Sequence, residues 1–177
     1  MVKQIVFTGI NMRAYKFRIY PSKKQEELLN HHLWLSKELW NQMLGEIKTR
    51  YDKEKKFPTK KELREVVKSK GLFSQVAQEL VDRLVDAVKR KIHMRNKGIK
   101  AGFPRFKNFN KMKSIVYPQF GFSLEQKLTV TPFGEISIKK HRKVKGEIKT
   151  LTMKRELSGK FHAIFSAEEE KTEPKQN

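Results

Sequence analysis

The sequence predicts an α+β protein in which an antiparallel sheet curls into a barrel and a helical bundle is inserted after the first strand. Three observations carry this. A strand-like alternation stops at Pro21, a long stretch of three-and-four spacing follows behind two helix-capping patterns, and the period changes to two from Ser114 onward.

In "RAYKFRIYP", Tyr15, Phe17 and Ile19 fall on one side and Lys16, Arg18 and Tyr20 on the other. That is the period of a half-buried strand, and proline terminates it. Ser22 and Gln25 form the S-x-x-Q capping pattern, so a helix begins at Lys23. Leu28, His32 or Leu33, Leu35, Leu39, Trp40, Met43, Leu44, Ile47 and Tyr51 recur along it as one broad apolar stripe. Thr59 with Glu62 opens a second, short helix carrying Leu63, Val66 and Val67, with Gly71 as its left-handed stop. Ser74 is placed to cap a third helix that buries Val76, Leu80, Val81, Leu84, Val85, Val88 and Ile92 and ends near Gly98.

The segments "SIVYP", "GFSL", "KLTVTP", "EISIKK", "KTLTMKREL" and "KFHAIFSAE" then read as strands, with Ser158-Gly159 as a two-residue hairpin turn. A lone strand over residues 13–20 is not stable as a ribbon and must pair with this later sheet. The expected division is therefore a barrel from residues 12–20 plus 101–168, an inserted helical unit over 21–100, and a flexible tail over 169–177.

Forty Lys plus Arg against nineteen Asp plus Glu give a formal charge of +21, while 37% hydrophobic content keeps the chain globular. An excess of one sign on this scale repels itself unless a polyanion neutralises it, which makes nucleic acid the expected partner class. No eighteen-residue apolar run supports a membrane span. The absence of Cys removes disulfides and thiolate zinc sites within this chain and suits the cytoplasm. The Lys- and Glu-rich composition suits a thermophilic source. Residues 1–11 do not read as a signal peptide.

The charge is uneven. Residues 89–113 hold ten Lys or Arg and no carboxylate, and "KKHRKVK" over 139–145 holds five more. Two such runs are expected to line the two sides of one groove for a phosphate backbone. Within the first run Phe103, Phe106 and Phe109 recur every three residues. The rings are expected to anchor a strap over the barrel while Arg105, Lys107, Lys111 and Lys113 face outward, with base stacking on the rings as the alternative reading. Trp34 and Trp40 read as apolar surface between helices, and His31 and His32 point about 100° apart and do not share a metal. Glu168 to Glu170 are consecutive and fan out, so no metal site is expected there.

Five stretches in order, "MRAYKFRIYPSKKQEELL", "SQVAQELVDRLVDAVKR", "GFPRFK", "YPQ" and "IKTLTMKRELSGKFHAIFS", resemble the TnpB/OrfB-type proteins of insertion sequences over residues 12 to about 167. The family comprises RNA-guided DNA endonucleases. The resemblance implies that the barrel is the OB-like wedge domain and the inserted helices the recognition lobe, with guide RNA and target DNA as partners. It implies Gln75 as a base-edge reader of flanking DNA, with Ser114 and Tyr117 near "YPQ" as further DNA-side residues. The RNA-backbone set is Arg105, Lys107, Lys111, Lys113, Lys139, Lys140 and Arg142. Family members continue into a RuvC-like nuclease with a zinc ribbon, and its first catalytic Asp follows soon after the "FS" strand. Here the sequence reaches Asn177 without one. The expectation is thus a binding region with no catalytic residue or cofactor of its own, Mg2+ and Zn2+ belonging to the nuclease part. The competing readings are a nuclease-less DNA-binding regulator and a ribosome-associated RNA-binding protein.

Overall fold

A computed structural model describes residues 10–170. The elements run β1 (Ile10–Tyr20), α1 (Lys23–Glu54), α2 (Lys60–Val67), α3 (Ser74–Asn96), then β2 (Ser114–Tyr117), β3 (Phe122–Leu124), β4 (Leu128–Val130), β5 (Gly134–Lys139), β6 (Glu147–Arg155) and β7 (Phe161–Glu170). A single 3₁₀ turn, Phe109–Lys111, precedes β2.

All six later strands form where the period of two places them. β1 begins at Ile10, upstream of the expected start, because ten of its residues find register partners on β7, from Ile10↔Glu170 to Ile19↔Phe161. β7 accordingly runs two residues into the expected tail. Residues 1–9 and 171–177, which include the rest of that tail, lie outside the described residues.

The sheet order is β2-β6-β7-β1-β5-β4-β3, antiparallel throughout. β1 thus sits inside the sheet built by the later strands. The two edge strands, β2 and β3, are consecutive in the chain, and the Tyr117 hydroxyl on β2 donates to the Thr131 carbonyl just past β4 (2.6 Å). The sheet curls nearly closed. Its inner face carries Tyr15, Phe17, Ile19, Phe161, Phe165, Leu151, Met153, Ile115, Leu128 and Ile136, all buried. Each such side chain contributes about 1.5–3 kcal/mol by leaving water.

α1 starts with the expected capping box: Gln25 N–H donates to Ser22 Oγ (3.3 Å) and Ser22 N–H to Gln25 Oε1 (2.9 Å). Gln25 Nε2 also donates to the carbonyls of Phe133 and Glu135, tying the helix start to the β4–β5 turn. The Thr59–Glu62 box opens α2, and the Glu62 carboxyl is held down to about 2 by the Thr59 N–H and by Arg50.

Three local expectations are corrected. Ser74 is not a cap: it is already the first residue of α3, behind an extended Phe73 whose ring stacks on Tyr117. Packing sets that start, since a Cβ on Gly121 (φ +90°) would lie 2.6 Å from the Phe73 ring. Gly71 (φ +89°) does not end α2, which stops at Val67 through an extended Lys68; it sits in the following turn. The β6–β7 connection is not a two-residue turn but runs over five residues, Glu156 to Lys160, with Glu156 N–H donating to the Lys160 carbonyl (2.8 Å) around the turn Leu157 to Gly159, where Gly159 takes φ +78°.

Candidate nucleic-acid interface

The strap over residues 101–113 runs along α1. Trp40 Nε1 donates to the Arg105 carbonyl (3.2 Å), Asn41 Nδ2 to the Lys107 carbonyl (2.8 Å), and Lys107 N–H to Asn41 Oδ1 (2.8 Å). At its far end Arg155 of β6 donates to Asn30 Oδ1 (2.7 Å) and to the Phe109 carbonyl (3.1 Å), with its guanidinium 3.9 Å over the Phe109 ring. Aromatics do anchor the strap, but against α1 rather than over the barrel, because Trp40 and Asn41 satisfy its backbone. Phe103 and Phe109 are partly buried; Phe106 is 54% exposed.

The four strap cations separate. Arg105 and Lys111 are exposed and Lys113 is half-buried. Lys107 does not face outward. Its ammonium lies 3.8 Å over the Trp40 ring, and burial, with Arg83 nearby, lowers it to about 8.

The second run occupies the other end of the barrel. Ile19, Phe161, Arg155 and Ser114 share the end nearest α1, as the pairs Ile19↔Phe161, Arg155↔Phe161 and Ser114↔Lys154 show. Met12, Glu147 and Glu168 share the opposite end. The chain over 140–146 crosses that second end. Arg142 stacks 4.8 Å over Tyr15 and donates to the Ala14 carbonyl (3.3 Å), His141 lies 5.2 Å from Phe17, and Lys145 N–H donates to the Tyr15 hydroxyl (3.3 Å). Lys140 donates to the Glu125 carbonyl. Gly146 fits because a Cβ there would strike the Glu168 carbonyl at 2.1 Å. This run is a plug for the barrel mouth, so the expected groove between the two runs is not formed. The cations of the run, Lys139, Lys140, Arg142, Lys143 and Lys145, are all exposed, and Lys139 stands directly across from Arg18.

The DNA-side residues also divide. Tyr117 is 1% exposed, its hydroxyl is taken by Thr131 and burial raises it further, so it is a core residue and presents nothing to DNA. Gln75 is half-buried and its Oε1 accepts the Phe120 N–H (2.8 Å), fixing the turn between β2 and β3. Ser114 Oγ accepts from Arg83 (3.5 Å). Trp40 is core as expected, whereas Trp34 is 45% exposed, with His31 stacked on it and Lys37 over its ring.

What sequence reasoning missed is a row of cations on the outer face of the sheet. The pairs Ser114↔Lys154, Lys154↔His162, His162↔Arg18 and Arg18↔Lys139 make one continuous line across β2, β6, β7, β1 and β5. From Lys154 to Lys139 it spans three interstrand spacings, roughly 14 Å. Lys16 flanks it, and one carboxylate serves three members: Glu156 lies 2.8 Å from Lys16, 3.5 Å from Lys154 and 3.7 Å from His162. Burial and the charges of Lys16, Arg18 and Lys154 push His162 down, against the smaller opposing pull of Glu156. Arg18 Nη1 is buried without a hydrogen-bond partner. Like charges directly opposite one another destabilise a sheet. Lys113 directly precedes the row's first strand but lines a cleft with Glu26, Asn30, Asn110 and Arg155. Alternation in β1 put Lys16, Arg18 and Tyr20 on one side; the pairing that aligns them with Lys154 is not written in any single strand.

Residues 12–56 match the model of the OrfB_IS605 helix-turn-helix domain. No curated protein matches the chain. The OrfB_IS605 match supports a DNA-binding N-terminal region of the insertion-sequence OrfB type. In the structure the matched segment comprises β1 from Met12 and all of α1; α2 begins beyond it, at Lys60. The match therefore includes Lys16 and Arg18 of the row and the Trp40–Asn41 face that holds the strap. Among the described residues no cluster of three or more His, Asp or Glu side chains could hold a metal ion, and no helix is long and apolar enough to cross a membrane. Glu168 pairs with Lys149 (3.1 Å) and Glu169 with Arg13 (3.3 Å) and Tyr15.

Proposed function

We propose that this chain is the nucleic-acid-holding region of a TnpB/OrfB-type RNA-guided DNA endonuclease. In this role the barrel acts as the OB-like wedge and the helices as the recognition lobe. Arg105, Lys111, Lys113, Lys154, Arg18, Lys139 and Lys16 grip guide RNA and its heteroduplex with target DNA through phosphates. Sequence is then read by base pairing, and the protein holds the backbone. The observation that carries this is the row Lys154–His162–Arg18–Lys139 across four neighbouring strands, whose mutual repulsion a polyphosphate relieves. No chemical step is assigned to this chain's own residues, and no metal or cofactor to its sites.

The deciding experiment expresses the chain with its neighbouring transcript, recovers any nuclease-protected RNA, and measures target-DNA binding by the RNA-loaded and RNA-stripped forms. The guided role requires that DNA binding depend on complementarity to the retained RNA. Occupancy of one fixed DNA sequence without RNA would instead establish the DNA-binding regulator, which the helix-turn-helix match also favours.

A further inference from the structure

A cleft of about 450 Å³ opens where α1, α3 and the start of the strap meet, lined by Lys48, Tyr51, Asp52, Lys91, Arg95 and Phe103 among its residues. It lies outside the sheet row. Three of these side chains are cations and one is a carboxylate. The ion pairs of the neighbourhood go to other residues: Arg50 takes Glu54 and Glu62, and Lys60 and Arg64 take Asp82. Lys91 instead places its ammonium over the Phe103 ring, 5.4 Å from its centroid, and Lys48 lies between two rings, 5.7 Å from Phe103 and 4.5 Å from Phe106. Tyr51 is held by stacking on Phe57, 4.7 Å away and nearly parallel.

We infer that this cleft holds one unpaired nucleotide of a bound strand, its base on Phe103 and its phosphate among Lys48, Lys91 and Arg95. Among the described residues neither lysine makes an ion pair, and Asp52 is the one carboxylate in the cleft. A phosphate draws the lysines away and uncovers the ring, and a base stacks on an aromatic face more strongly than an exposed ammonium does. A bare phosphate leaves the ring unused, and a nucleoside leaves the cations unused; a nucleotide engages both. Asp52 can accept from a base amino group or a ribose hydroxyl. The volume lies within the usual range for small-ligand sites.

The assignment rests on the nucleic-acid role of the sheet face but uses residues outside it, so the two can fail separately. The test compares two hairpin RNAs of identical stem, one fully paired and one with a single bulged 2-aminopurine, on the full chain. Stacking at the low end of its range predicts about fivefold tighter binding of the bulged hairpin, with quenched 2-aminopurine fluorescence. Phe103→Leu and the double variant Lys48→Gln/Lys91→Gln should each erase that preference, while Phe103→Leu keeps its affinity for the paired stem. Absence of the preference, or its survival in both variants, overturns the assignment. Should wild type bind the bulged hairpin but not the paired one, the sheet-face role fails and the cleft stands.

Discussion

Arg18 on β1 and His162 on β7 stand directly opposite each other on the outer face of the sheet, with Lys154 across from His162 on one side and Lys139 across from Arg18 on the other. A fold selected for stability alone gains nothing from this alignment. Three lysines or arginines and a histidine in one cross-strand line are held against their repulsion, with Glu156 beside Lys154 and His162 alone among them.

Stability and affinity should therefore move in opposite directions in the row. Arg18→Gln and Lys154→Gln each remove a like-charge neighbour, with a gain of about 0.2–1 kcal/mol in unfolding free energy expected from cross-strand pair energies. Each should also weaken RNA or duplex binding. Denaturant titration and a binding isotherm on the same preparation check both signs; variants that lose stability and affinity together would mark the row as structural.

Tyr117→Phe separates core from interface at the other end of β2. The hydroxyl is buried and spent on Thr131, so its removal should cost about 0.5–1.5 kcal/mol of stability and leave nucleic-acid affinity unchanged. Thermal melts and binding titrations give the two readings.

His162 gives the row a pH signature. Burial, with Lys16, Arg18 and Lys154 close by and Glu156 as partial counterweight, holds its folded pKa below the ordinary 6.5. The unfolded chain therefore binds the extra proton first, and the stability linked to this group falls as pH drops from about 6.5 through the folded value. A bound phosphate favours the charged ring, so binding should tighten over the same window. An imidazole titration by NMR should show a depressed pKa alone and an upward shift with oligonucleotide; no shift on binding would separate His162 from the interface.

Lys107 carries the opposite practical consequence for the strap. Burial lowers its pKa to about 8, so the folded state carries a partly desolvated charge below that pH. Relative to wild type, Lys107→Met should be more stable near neutrality, and its advantage should shrink as pH rises from 8 toward 10.5, where the unfolded lysine also deprotonates. Denaturant midpoints across that range test it, and an advantage independent of pH would contradict it.

Much of the fold was legible because it rests on local rules. Alternation at Tyr15, Phe17 and Ile19, the Ser22–Gln25 and Thr59–Glu62 boxes, and the period of two after Ser114 are written within a few residues of one another. Ser74 failed as a cap because Phe73 packs on Tyr117, a contact across 44 positions that no local pattern encodes. The interface was less legible for the same reason. A run of lysines such as 139–145 shows charge but not which mouth of a barrel it closes, and Lys107 looks no different in sequence from Lys111 although it lies on Trp40. The row of cations across four strands exists only through register. Gln25, read as a cap, also fastens α1 to Phe133 and Glu135 with the donor end of the same amide.

The most direct measurement is the salt dependence of duplex binding by wild type and by the triple variant Arg18→Gln/Lys139→Gln/Lys154→Gln. If these three side chains neutralise one phosphate each, the slope of log K against log salt should become shallower by about 2.7, at roughly 0.9 for every phosphate left without its cation. An unchanged slope would show that the polyanion does not lie on this face of the sheet.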